Sequence, residues 1–253
     1  MRRSLSVALL AVPLLASVTV AGCGGGSSTG RADGEITVFA AASLTGPFRE
    51  MATAYEEAHP GRKVRLSFAA SSELAAQINQ GAPVDVFASA DLANMNKLTA
   101  GTVAAPREFA SNRLESIVGA GNPKGITGLA DLAKPGLAFV SADVTVPIGK
   151  YTAQVLAKAG IEVSPKSLEA NVKGIVTKVT LGEADAGIVY VTDVLAAGAK
   201  AQGIAIPADL NVVARYPIAV PATTPHQRAG ADFIDFVLSA AGRRILEKYG
   251  FAT

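Results

Sequence analysis

The chain has 253 residues, with 23 Lys and Arg against 21 Asp and Glu, one cysteine and two histidines. A single cysteine excludes an intramolecular disulfide, and two histidines leave little from which to build a cationic metal site. Arg2 and Arg3 fall in an N-terminal signal segment, so the 23 basic residues drop to 21 and the mature chain is formally neutral; nucleic-acid binding thereby loses its main support.

Residues 1–22 read as that signal: Arg2 and Arg3 precede an apolar stretch from Leu5 to Val20. It ends in Val20-Ala21-Gly22-Cys23, which resembles the lipobox of bacterial lipoproteins, where the cysteine is lipidated and becomes the mature N-terminus. The alternatives are a free or disulfide-bonded cysteine and an uncleaved transmembrane anchor, although a 16-residue run containing Pro13 is short for a membrane span. Residues 23–34, rich in Gly, Ser and Thr, read as a flexible tether without core-forming side chains.

Beyond the tether, apolar strand-like runs alternate with amphipathic helical patterns, as in an α/β protein with mainly parallel sheets. The pattern predicts strands over 35–40, 64–69, 84–88, 114–118, 137–141, 186–190, 203–206 and 212–220. Phe48, Met51, Ala52 and Tyr55 mark the buried stripe of a helix that Pro47 opens and His59-Pro60-Gly61 ends. Further helices are expected from 72, over 148–159 and over 172–182. Two more are expected in the tail, one carrying Phe233, Phe236 and Val237 and the next Ile245, Leu246 and Tyr249. Two lobes are expected, 35–112 with 216–253 and 113–215, with crossings near 110–114 and 213–217 placed from spacing alone.

Several strands run into small or hydroxyl residues just where a helix begins: Ala40-Ala41-Ala42-Ser43-Leu44, then Ala69-Ala70-Ser71-Ser72-Glu73, and more weakly Pro147-Ile148-Gly149 and Asn171-Val172-Lys173. A helix start carries unpaired N–H groups and roughly +0.5 of an elementary charge, so it attracts anions. Catalytic patterns are missing: there is no G-x-S-x-G, no G-x-x-x-x-G-K-[ST] and no G-x-G-x-x-G. His59 and His226 are expected at the surface. Asp85, Asp91 and Asp143 are expected to tie loops or cap helices rather than meet an anion that they would repel.

Four segments, Thr37 to Leu44, Phe68 to Ala75, Gly81 to Asp91 and Gly187-Ile188-Val189-Tyr190, resemble in order and spacing the molybdate-binding proteins of bacterial ABC importers. The resemblance spans nearly all of the chain from Glu35 onward. It implies an α/β, two-lobed periplasmic-binding-protein fold of type II, with the ligand in the cleft between lobes. It also implies oxyanion donors without charged side chains: the hydroxyls of Ser43, Ser71 and Tyr190 and the backbone N–H groups of Ile148 and Val172. Taken alone, Ser43 and Ser71 read equally well as N-caps, Tyr190 as core filler and Val172 as an ordinary helix residue. Ile148 stands where the family often has alanine, Ala70 where serine is common, and Lys150 where an apolar residue is expected.

The implied protein binds and does not catalyse, needs no cofactor and holds no free metal cation, molybdenum being bound as its oxyanion. It captures molybdate or tungstate as a monomer on the extracytoplasmic face of the membrane, anchored through lipid at Cys23. It delivers the anion to an ABC permease. The alternatives are the same fold with sulfate or another small anion, and an extracytoplasmic hydrolase.

Overall fold

In the computed structural model, which describes residues 34–253, the elements alternate as the pattern predicts. The signal segment, Cys23 and the tether up to residue 33 lie outside the described residues. The first half runs β1 (Glu35–Ala41), α1 (Thr45–Ala58), β2 (Lys63–Ala69), α2 (Ser71–Asn79), β3 (Val86–Ala88), α3 (Leu92–Met95) and β4 (Arg107–Asn112). It continues with β5 (Leu114–Gly119), β6 (Phe139–Ala142), α4 (Pro147–Ala159), β7 (Ser167–Glu169), α5 (Val172–Thr180), β8 (Ala186–Tyr190) and α6 (Val191–Ala197). The chain closes with β9 (Ala201–Ala205), β10 (Ala214–Ala219), α7 (Gln227–Leu238) and α8 (Ala240–Lys248).

The strands form two five-stranded sheets, ordered β2-β1-β3-β10-β4 and β7-β6-β8-β5-β9. In each, three strands run parallel, the fourth runs against them and the fifth is antiparallel to the fourth. Parallel strands need crossover helices, which is why both faces of each sheet are covered and β1 is buried along nearly its whole length. Alternation along β1 sends Val38 and Ala40 into one core, with Phe48, Met51 and Tyr55 of α1, and Phe39 into another with Leu74, Ile78 and Phe87.

Several elements depart from the sequence pattern. The strand expected over 84–88 starts at Val86: the Asp85 N–H still donates to the Thr37 carbonyl at 2.8 Å, but the Thr37 N–H turns to the Asp85 carboxylate at 2.7 Å, which also accepts the Thr224 hydroxyl. Neither β4 nor β7 was predicted. β4 begins with exposed Arg107 and Glu108, and β7 is three residues long with Leu168 largely exposed, both at sheet edges where apolar alternation fades. The short α6 follows β8 without an intervening loop.

The chain passes from the first sheet to the second at Arg113 and returns through 206–213. Asn211 ties the two passages together: its Oδ1 accepts the Leu114 N–H at 3.1 Å and its Nδ2 donates to the Leu114 carbonyl at 2.8 Å. All described residues belong to one compact unit. Among them, no helix is long and apolar enough to cross a membrane.

Candidate anion-binding site

Ser43, Ser71, Ile148, Val172 and Tyr190 line one pocket. They reach it from the carboxyl ends of β1, β2, β6, β7 and β8, where open α/β sheets hold their ligands. Ala42, Ala70, Ala90, Val146, Pro147 and Asn171 are among the other walls, and no lining residue is charged. The pocket is small, with a cavity volume of about 20 Å³, far below the roughly 300–1,000 Å³ of sites for drug-sized molecules. It suits a ligand of a few atoms.

Neither serine is a helix cap. The residues before the helical turns, Ala41 and Ala70, make no side-chain capping bond, and the serines sit inside the first turn. Ser71, 1% exposed, accepts the Ala90 N–H on its Oγ at 2.9 Å, which leaves its own proton for another partner. Ser43 Oγ lies 3.1 Å from the hydroxyl of Tyr216.

Ile148 and Val172 stand in the first turns of α4 and α5, whose leading N–H groups have no intrahelical acceptor. Pro147 opens α4, and the first intrahelical bond there is Lys150 N–H to Val146. In α5, Asn171 caps with its side chain the N–H of Lys173, at 2.9 Å, and not that of Val172. Gly149 lets α4 approach β6: a methyl group there would collide with the carbonyl oxygens of Ala142 and Asp143.

Tyr190 forms another wall of the pocket. Its hydroxyl is buried and has no hydrogen-bond partner within the described residues. Burial, reinforced by nearby Tyr216, Tyr151, Asp193 and Asp91, pushes its pKa far above the ordinary tyrosine value, so it is a neutral donor. Leaving such a group unpaired costs about 1–3 kcal/mol.

The flanking charges are paired. Asp193 is fully buried behind Tyr190, accepts the Tyr190 N–H at 3.3 Å and takes Lys173 Nζ at 2.8 Å. Burial raises its pKa, against the opposing pull of Lys173. Across the cleft, Lys150 Nζ meets Asp91 at 3.3 Å, and the Tyr151 hydroxyl donates to the Ala90 carbonyl at 3.2 Å. Lys150, unplaced by sequence reasoning, therefore bridges from the second sheet's α4 to the segment after β3. Asp91 also caps α3 through the Asn94 N–H at 2.8 Å, and Asp143 holds the turn at Thr145. Both serve structure, as expected. His59 is exposed, whereas His226 is half-buried. No group of three or more His, Cys, Asp or Glu able to hold a metal ion occurs among the described residues.

Sequence reasoning missed Tyr216, Tyr151 and Asn171. Asn171 carried a readable signal, an N-cap residue type directly before an apolar helical run. The two tyrosines carried none, since each looks like core filling in its own segment.

The family of bacterial extracellular solute-binding proteins matches residues 36–252. The molybdate-binding protein ModA of Mycobacterium tuberculosis is 41% identical over 254 residues, covering 98% of this chain and 97% of that protein. The periplasmic molybdate-binding protein of Azotobacter vinelandii superposes with a TM-score of 0.73 at 22% identity, over 86% of this chain and 99% of that one. The sulfate-binding protein SubI of Mycobacterium tuberculosis superposes with a TM-score of 0.77, also at 22% identity, over 86% of each chain. These two structures speak to the fold alone. The chain belongs to the bacterial extracellular solute-binding proteins and, within them, to the family of the molybdate-binding proteins.

Proposed function

We propose that this protein captures molybdate, or its congener tungstate, between its two sheets and delivers it to the permease of an ABC importer. Ser43, Ser71 and Tyr190 donate hydroxyl protons to the anion, and Ile148 and Val172 donate backbone N–H groups. The observation that carries this reading is the buried, unpartnered Tyr190 hydroxyl in a small uncharged pocket where two helix starts and two serines converge. Burying a dianion is expensive unless it is fully hydrogen-bonded. At about 1.5–3 kcal/mol for each hydrogen bond to a charged group, five donors are of the right order. A donor-only set favours anions without protons, and a cavity wide enough for molybdate or tungstate would leave the oxygens of the smaller sulfate short of some donors.

The sheets form the cores of two lobes that close on the anion, with Arg113 and 206–213 as the hinge. The lobes follow the expected 35–112 with 216–253 and 113–215, except that β10 (Ala214–Ala219) goes whole with the first sheet and the return crossing precedes it. The Lys150–Asp91 and Tyr151–Ala90 contacts belong to the closed form. The protein binds without catalysis and without a cofactor: Ser71 is partnered by an amide and Ser43 by a tyrosine hydroxyl, so neither has a base beside it. Cys23, in its lipobox-like setting, anchors a monomer through lipid to the extracytoplasmic face of the membrane. The tether of residues 23–34 lets the binding unit reach the permease.

Melting of the purified protein with molybdate, tungstate, sulfate and phosphate tests the reading. Ligand at 1,000 times its dissociation constant stabilises by about 4 kcal/mol, roughly 8–16 °C for a chain of this size. Shifts of that order are expected with molybdate and tungstate. A shift with sulfate alone would favour the sulfate reading.

A further inference from the structure

Tyr216 lies one layer behind the pocket, fully buried on β10, with its hydroxyl 3.1 Å from Ser43 Oγ. Its ring is held edge-on by Tyr190 at 6.0 Å, Phe109 at 6.2 Å and Phe251 at 5.4 Å. The ladder register shifts between Tyr216 and Pro217, where proline has no N–H to donate.

Two hydroxyls in contact can share a hydrogen bond in either direction, and here burial decides which. Among the described residues the Tyr216 hydroxyl makes its hydrogen-bond contact with Ser43 Oγ, and the Tyr216 side chain has no exposed surface. If Ser43 donated, the phenolic proton would be buried without an acceptor, which is costly. With Tyr216 as the donor, the phenolic proton has Ser43 Oγ as its acceptor. Ser43 receives that proton's hydrogen bond, and its own proton is left to point into the pocket.

We propose that Tyr216 and Ser43 form a directed hydrogen-bond relay that commits the Ser43 hydroxyl to donation, which makes Tyr216 a positioning and specificity-determining residue. The proposal rests on Ser43 being an oxyanion ligand. A serine is ordinarily both donor and acceptor, and an anion that carries a proton, such as phosphate at neutral pH, needs an acceptor in its site. The relay removes Ser43 from that role, as the Ala90 N–H does for Ser71. Hydrogen bonds in such a chain also polarise one another, which strengthens the last donor against the anion.

The test is a double-mutant cycle on molybdate affinity by titration calorimetry, with inorganic phosphate as competitor at pH 7. Ser43→Ala is expected to weaken molybdate binding by at least tenfold. Tyr216→Phe, which keeps the ring, is expected to weaken it three- to tenfold and to improve competition by phosphate at least threefold relative to molybdate. The double variant should bind within twofold of Ser43→Ala alone, because Tyr216 acts only through Ser43. If Ser43→Ala leaves the affinity unchanged, Ser43 is not a ligand and the relay falls with that assignment. If Ser43→Ala weakens binding but the two losses multiply in the double variant, the relay is wrong while the site stands. Unchanged phosphate competition in Tyr216→Phe would overturn the specificity role. Should Tyr216→Phe fail to fold, a neutron structure of the parent protein reads the direction itself. A deuteron on the Tyr216 oxygen aimed at Ser43 Oγ supports the relay, and one on Ser43 Oγ aimed at Tyr216 refutes it.

Discussion

Replacing Tyr190 with phenylalanine separates a ligand donor from a structural tyrosine, because the two roles predict opposite signs. The hydroxyl is buried and unpartnered within the protein, and an unsatisfied buried polar group is destabilising by about 1–3 kcal/mol. Removing it leaves the ring and its edge-on contact with Tyr216 at 6.0 Å in place. The unliganded protein should therefore melt at the same temperature or higher, by up to roughly 2–4 °C for each kcal/mol relieved. Binding should move the other way. Losing one hydrogen bond to a charged oxygen removes about 1.5–3 kcal/mol, a weakening of roughly 10- to 150-fold by the tenfold-per-1.4 kcal/mol conversion. Differential scanning fluorimetry without ligand and calorimetric titration with molybdate read the two quantities on one sample. A variant that melts several degrees lower and binds molybdate as tightly as the parent would refute the reasoning, since the hydroxyl would then be serving the fold.

Other consequences follow from the same geometry. Lys150→Met leaves the buried Asp91 carboxylate unpaired beside the pocket; because Lys150 is about a third exposed, roughly a tenfold loss of molybdate affinity is expected, and an unchanged dissociation constant would show that the bridge does not assist closure. Gly149→Ala drives a methyl group into the carbonyls of Ala142 and Asp143. Overpacking of this kind is destabilising by about 1–3 kcal/mol, so a melting point lower by roughly 2–12 °C and clearly weakened binding are expected. Burial raises the pKa of Tyr151, Tyr190 and Tyr216 above the ordinary value of 10.0. Their contribution to stability is thus complete below pH 10 and is lost as the pH rises toward the folded-state values. A melting temperature that falls steeply above pH 10 is expected, less steeply in Tyr190→Phe, and a flat profile to pH 12 would contradict it.

What the sequence disclosed and what it withheld divide along physical lines. The strand-to-helix breaks at Ser43 and Ser71 were legible because small residues after a short apolar run leave a local mark, and both breaks fall where β1 and β2 end. The role of each serine was not legible. Each read as a plausible cap, and only the structure shows Ser71 accepting from Ala90 and Ser43 paired with Tyr216, 173 residues away. Lys150 was visible as an unexpected cation, but its partner Asp91 lies 59 residues earlier, across the cleft. Edge strands faded for a different reason: β4 buries Phe109 and Ala110 but exposes Arg107 and Glu108, so no alternation long enough to detect survives. Local composition encodes helix starts and buried strands, whereas pairings between distant segments emerge only when the sheets are assembled.

The most direct test of the central claim is a crystal structure of the protein grown with molybdate, with the molybdenum located by its anomalous scattering. The account predicts one molybdenum in the pocket, its oxygens about 2.6–3.1 Å from the hydroxyls of Ser43, Ser71 and Tyr190 and the N–H groups of Ile148 and Val172, with no Lys or Arg side chain touching it. Molybdenum elsewhere, or an anion held by a charged side chain in place of these five donors, would contradict it.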